Sequence, residues 1–146
     1  MMIRFKSILL VSLQFLFILL LLSGISLKNI SLPAIIFMLL SPVLILWAII
    51  IMQKSKLSIL PEPSANGTLI TKGPYRFIRH PMYTAILLGS VGLVINQFTW
   101  LRLAIVIALA IVLLIKLNWE EKMLLEKFDA YKEYMKHSKR LVPFIF

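Results

Sequence analysis

SILLVSLQFLFILLLLSGISL, residues 7–27, holds no charged side chain, and neither does NISLPAIIFMLLSPVLILWAIIIMQ, residues 29–53. An α-helix rises 1.5 Å per residue and needs about 20 apolar residues to cross the hydrocarbon core of a bilayer. Both runs therefore predict spanning helices, over 7–27 and 30–52. Backbone groups in lipid must be satisfied within the segment, and the helix does that. Two further uncharged runs are shorter. His80 to Leu101 is broken near its end by Asn96-Gln97, and Arg102 to Leu117 is interrupted by Lys116. Together they predict a helical hairpin over 81–118 that turns near Asn96 to Thr99.

Composition agrees with a lipid solvent. The chain has 146 residues, 60% hydrophobic and 15% charged, with a mean hydropathy of +0.94. A soluble domain carries about a quarter charged residues, and a chain this small buries only about two-thirds of its surface. The expectation is an all-α, polytopic membrane protein of about four spans, forming one domain over 1–146. Cysteine is absent, which excludes thiol chemistry and a cysteine-ligated metal. Two distant histidines, His80 and His137, have no ligand spacing, so no metal site is predicted.

The net charge of +10 is read through its placement. With four spans and an inner N-terminus, every Lys and Arg except Lys28 and Arg102 lies on the inner side. That asymmetry satisfies the positive-inside rule and puts both termini in the cytoplasm. Nucleic-acid binding has no place in this account. The N-terminal run resembles a signal peptide but lacks a small-x-small cleavage site and is followed by further spans, so it is expected to remain as a span. Small size and the lack of organelle signals point to a prokaryotic inner membrane. Beyond the hairpin, Trp119, Met123, Leu124, Phe128, Tyr131 and Met135 recur at three- and four-residue steps. They predict an amphipathic helix over 119–137 lying along the interface.

Chemistry belongs where polar groups meet the membrane at one level. The inner loop, 53–80, contains Pro61, Pro63, Gly67 and the pair Gly73-Pro74, which forbid a continuous helix. Pro81 suits the first turn of the next helix, leaving His80 at that helix's start and Tyr83 one turn on. A loop whose Arg, Tyr and His merely anchor the protein at headgroup level would look the same. A second constellation is Lys116, Glu120 and Glu121. Lys116 and Glu120 sit one turn apart, as in an ordinary i,i+4 ion pair. Adjacent carboxylates at membrane depth also suit a cationic ligand group such as an ammonium or sulfonium.

Taken in order, GPYRFIRHPMY (73–83), an apolar stretch of hairpin length, and WEEKMLLEKFDAYKEYMKHSKRLVP (119–143) resemble the isoprenylcysteine carboxyl methyltransferase family and the related phospholipid methyltransferases. These are membrane enzymes that use S-adenosylmethionine. The resemblance covers roughly residues 53–143, with Phe128, Tyr131, Tyr134, Arg140 and Pro143 matching in the tail. It implies that Gly67, Thr68, Leu69, Ile70 and Tyr75 hold the cofactor, the first four in a strand-like segment. His80, Pro81, Met82 and Tyr83 would continue the pocket wall, and Glu120 would receive the cofactor's amino group. Lys116 stands where the family has an arginine near the substrate, keeping the charge without the bidentate fork. Lys116 and Arg140 are the residues expected nearest the reaction. The implied partner is a lipophilic small molecule or lipid, methylated on a prenylated cysteine-like carboxylate or a phospholipid amine. A carboxylate needs no base, whereas an ammonium must first lose a proton, to His80 or a glutamate. Two other readings stay open: a membrane reductase, since sterol-reductase-type proteins share an Arg-His-Pro-x-Tyr stretch, and a non-catalytic membrane adaptor.

Overall fold

The computed structural model describes residues 2–26, 28–53 and 68–146, with side chains from residue 5 onward. Five helices follow one another: α1 (Met2–Leu22), α2 (Leu32–Met52), α3 (Pro81–Asn96), α4 (Trp100–Lys127) and α5 (Tyr131–His137). A 3-10 turn at Gly73–Arg76 precedes α3. Among the described residues there is no sheet, only an isolated parallel bridge between Ile78 and Lys139. The all-α polytopic expectation holds. Three helices, α1, α2 and α4, are long and apolar enough to cross a bilayer, and α3 is a shorter apolar helix. Gly67, Pro61, Pro63 and the rest of 54–67 lie outside the described residues.

The helix starts follow local chemistry. α2 and α3 each carry proline in the first turn, where the missing N–H would have had no partner. α4 begins after Thr99, whose hydroxyl accepts from the Arg102 backbone N–H at 3.1 Å, a side-chain cap. The helix expected over 119–137 is instead two pieces. α4 runs unbroken through Trp119 to Lys127, and the extended backbone of Phe128 ends it before α5. The reason is a buried stripe at four-residue steps, Leu109, Leu113, Leu117 and Glu121, which passes from apolar to charged without a helix breaker.

Packing pairs the helices out of sequence order. α2 lies along α3, α1 lies along α4, and α1 and α2 hardly touch. Small residues permit the α2–α3 approach. Ala34, Ser41 and Ala48, seven apart, are the buried positions of α2, and Ser41 Oγ donates to the Ala85 carbonyl at 2.7 Å. Opposite, a Cβ on Gly89 would stand 2.7 Å from Ser41 Oγ, and one on Gly92 would stand 3.0 Å from Phe37 Cβ. An apolar cluster of Leu21, Leu93, Val94, Val106, Leu109 and Leu113 joins α1, α3 and α4 near the hairpin turn.

Polar stitches close that end. Arg102, buried, donates through Nη2 to the carbonyls of Ser23 at 3.0 Å and Gly24 at 3.2 Å. Those carbonyls follow the last turn of α1, where intrahelical partners have run out. Asn96 Nδ2 donates to the Ser26 carbonyl at 3.0 Å, and Gln97 Oε1 accepts from the Ser26 N–H at 3.4 Å. The two polar residues at the hairpin turn therefore fasten it to the segment after α1.

Gly89→Ala is expected to destabilise the protein by about 1–3 kcal/mol through overpacking, read as a lower thermal midpoint in detergent. Adding Ser41→Ala removes the clashing oxygen, so the double variant should lose less than the sum of the singles. Strict additivity would show that this contact does not govern the α2–α3 spacing.

Candidate functional site

Antiparallel pairing of α3 with α4 across a three-residue turn brings the first turn of α3 level with the last third of α4. His80, the residue before α3, thus faces Glu120 and Glu121. His80 Nδ1 lies 3.5 Å from Glu120 Oε2, and Nε2 lies 3.4 Å from Glu121 Oε1. The second contact is off the line of a hydrogen bond, so it acts by charge. The His80 ring stacks parallel to Tyr83 with centroids 5.4 Å apart, and the Tyr83 hydroxyl donates to Glu120 Oε2 at 2.8 Å.

Glu121, 3% exposed, gathers further cations. Arg79 Nε reaches its Oε1 at 2.7 Å, and Arg140 Nη2 reaches its Oε2 at 3.1 Å. The remaining reach of Arg79 goes to backbone, since its Nη1 donates to the Ser138 carbonyl. Residues 138–141 dock on the approach to α3. Arg79 N–H donates to the Lys139 carbonyl at 2.7 Å, and His80 N–H to the Arg140 carbonyl at 3.1 Å. Thr84 Oγ1 donates to the Leu141 carbonyl at 2.7 Å. Burial alone would lower the His80 pKa, but the close contacts and negative charge of Glu120 and Glu121 outweigh it and hold the imidazole above its ordinary value.

Beside this cluster lies a cavity of about 350 Å³, within the range of small-molecule sites. Thr68, Leu69, Ile70, Tyr75, His80, Pro81, Met82, Tyr83, Lys116 and Glu120 all line it. Every site residue expected from the sequence is therefore at this cavity except two. Gly67 lies outside the described residues, and Arg140 is not among the lining residues. Arg140 holds Glu121 and stacks its guanidinium over the Phe146 ring at 5.6 Å. Thr68–Ile70 belong to no strand, and their pocket position comes from packing. Lys116 and Glu120 form no ion pair. Lys116 Nζ donates instead to Gln14 Oε1 at 2.6 Å and lies 5.0 Å from the Tyr83 ring centroid.

Several lining residues escaped the sequence reading. Gln14 carried a signal, being an amide inside a charge-free span. Arg79 adjoins His80 in the quoted motif. Tyr131 read as part of an apolar face and Tyr134 only as a match in the tail, yet both line the cavity. The Tyr134 hydroxyl donates to the Tyr75 carbonyl, and burial pushes its phenol up to about 12. Tyr131, 1% exposed, has a buried hydroxyl with no hydrogen-bond partner among the described residues. A second cavity of about 260 Å³ adjoins the first, lined by Leu21, Met38, Leu93 and others. Ile18, Ile45 and Ile86 border both.

Three helices long and apolar enough to cross a bilayer, with a cavity at the end of a helical hairpin, define an integral membrane protein with a small-molecule-sized pocket. Residues 29–131 match the phospholipid methyltransferase family, and the chain belongs to it. This is a family of membrane methyltransferases that generally draw their methyl group from S-adenosylmethionine. The chain is also similar to the cobalt-zinc-cadmium resistance protein CzcN of Cupriavidus metallidurans, at 30% identity over 79 residues. That match covers 53% of this chain and 37% of the relative.

Glu121→Ala leaves three cationic side chains without their shared carboxylate. It is expected to destabilise the protein by about 3–5 kcal/mol, measured by thermal or denaturant unfolding in detergent. Because the folded His80 pKa is raised, its contribution is fully present below its ordinary value of 6.5. That contribution is lost as pH rises through the folded value. The stability gap between wild type and His80→Gln should therefore shrink on the alkaline side, and a gap flat with pH would refute the charged imidazole. Tyr131→Phe removes a hydroxyl without a partner and is expected to leave the ligand-free stability unchanged or raised.

Proposed function

We propose that the larger cavity binds S-adenosylmethionine and that the protein transfers its methyl group to a lipophilic acceptor arriving from the bilayer. The convergence of ten expected residues on one cavity is the observation that carries this reading. The donor set fits the cofactor. Glu120 supplies a carboxylate for the ammonium, Tyr75, Met82 and Leu69 offer aromatic and apolar surface for the adenosyl part, and the orphaned Tyr131 hydroxyl stands free to bond a polar atom. When bound, the sulfonium supplies an activated methyl whose bond breaks with its electron pair left on sulfur.

The chain's own contribution is position. The barrier falls when donor and acceptor are held in line, by on the order of 7–11 kcal/mol in well-oriented systems. Tyr83 and His80 both reach Oε2 of Glu120, so its carboxylate is oriented before a ligand arrives. Arg140 is a positioning residue, acting through Glu121. His80, wedged between two carboxylates with a raised pKa, is a poor proton acceptor at neutral pH. A carboxylate acceptor would need no base, and for an amine the proton would go to Glu120. The water-soluble cofactor reaches the cavity from the cytoplasmic side, where both termini lie, in a prokaryotic inner membrane. The acceptor comes through the gap between α1 and α2, which barely touch.

Calorimetry of S-adenosylhomocysteine with the purified protein in detergent tests the reading. Saturable binding is expected, weakened about tenfold or more by Glu120→Ala and His80→Ala through lost charge-assisted hydrogen bonds. A folded wild type that does not bind would overturn it.

A further inference from the structure

From Trp100 to Glu120, α4 rises about 30 Å, the depth of a hydrocarbon core. Glu120 and the start of α3 that faces it therefore lie at one lipid boundary. Thr84, in that start of α3, donates through Oγ1 to the Leu141 carbonyl at 2.7 Å, which fixes the segment after α5 at the same depth. Leu141 is buried, and the chain then turns back on itself. The N–H groups of Leu141 and Val142 both donate to the main-chain oxygen of Phe146 at 2.7 Å, and the Phe146 N–H donates to the Val142 carbonyl at 3.1 Å. At the tip of this loop Phe144 has a φ of +66°, left-handed backbone that a bulky side chain rarely adopts. Arg140 stacks on Phe146 and holds Glu121, so the loop is tied to the buried cluster.

What the loop presents is apolar. Phe144 is 85% exposed and Ile145 is 78% exposed, a display that water penalises and lipid rewards. Phe77, half-exposed, extends the patch from the approach to α3, where its carbonyl accepts from the Lys139 N–H at 3.0 Å. Exposed cations stand at the edge: Lys139 itself, and Arg76, whose guanidinium lies 5.9 Å from the Phe77 ring centroid. Glu133 is the one acidic residue in 131–146, and Lys136 already pairs with it at 2.6 Å. An apolar tip with a basic rim is the make-up of an interfacial anchor for anionic lipid. We propose that residues 142–146 form a wedge that enters the leaflet at this boundary, Phe144 and Ile145 among the acyl chains and Arg76 and Lys139 against the phosphates of anionic phospholipid. The wedge does not depend on the methyl-transfer reading.

The chain has no cysteine, so Ile145→Cys and Lys136→Cys each carry a single bimane fluorophore on the full-length protein in phosphatidylcholine nanodiscs. Trace phosphatidylglycerol or phosphatidylcholine with a nitroxide high on the acyl chain quenches from the lipid, and iodide quenches from water. At position 145, strong quenching by the nitroxide lipids and little by iodide is expected, with the reverse at position 136 on exposed α5. Labelled phosphatidylglycerol should quench several-fold more than labelled phosphatidylcholine at equal content, towards a ceiling of roughly thirtyfold for two interfacial cations. Arg76→Gln with Lys139→Gln should erase that preference and leave quenching by phosphatidylcholine in place. Iodide quenching at 145 equal to that at 136 would overturn the wedge. Equal quenching by the two lipids would overturn the anionic partner. A 145 fluorophore shielded from both lipid and iodide would mean that protein, such as a second copy of the chain, covers the loop, and the leaflet assignment would fall.

Discussion

Glu121 is the point on which the charged end of the molecule turns. Its two oxygens hold Arg79 from the approach to α3 and Arg140 from the segment after α5, with His80 within charge contact. A carboxylate so deeply buried would be ruinous alone, and so would Arg79. Each is tolerable because the other desolvated partner is present with hydrogen bonds to spare. The arrangement couples three segments far apart in sequence. Residues 77–80 cannot take their place unless 138–141 lie beside them, and neither can dock unless α4 presents Glu121 in line with Leu113 and Leu117. Glu120, one position earlier, is thereby turned to the cavity instead of into the cluster.

Neighbouring glutamates thus divide the work by helix geometry. A step of one residue along α4 rotates the side chain by about 100°. Glu121 continues the buried stripe, while Glu120 faces the first turn of α3 and the cavity. Nothing else is needed to separate a buried structural carboxylate from one that lines the cavity. The stacked His80 and Tyr83 rings fill the space between them, and both reach Glu120.

Much of this was legible in the chain itself. Charge-free runs marked the spans, Asn96–Thr99 marked the hairpin turn, and the Arg-His-Pro-x-Tyr and Glu-Glu stretches marked the residues that meet at the cavity. Those signals are local, or belong to a motif with fixed spacing. The parts that could not be read are pairings between distant helices. Lys116 looked like the i,i+4 partner of Glu120, but its flexible stem turns to Gln14 on α1. Trp119 looked like the start of an interfacial helix because the charge rises there. Charge alone does not end a helix, though, and the buried stripe carries α4 through. Arg102 was counted only as a charge on the outer side, whereas it closes the end of α1. Tyr131 has the periodicity of a core face, and periodicity does not distinguish a core from a pocket wall.

The pairing of α1 with α4 instead of α2 carries a consequence for how the molecule is made. Gln14 enters the bilayer early in synthesis, and the lysine that takes its carbonyl oxygen follows 102 residues later. Lys116 lies toward the inner end of α4, where a charge costs less than the about 2.5–3.5 kcal/mol of the helix centre, yet it is buried and gains from the Gln14 amide. Until α4 arrives, α1 is a solitary helix with an unsatisfied amide facing lipid. Each helix removes the other's handicap, so the membrane step of biogenesis is completed by the fourth helix, not the first.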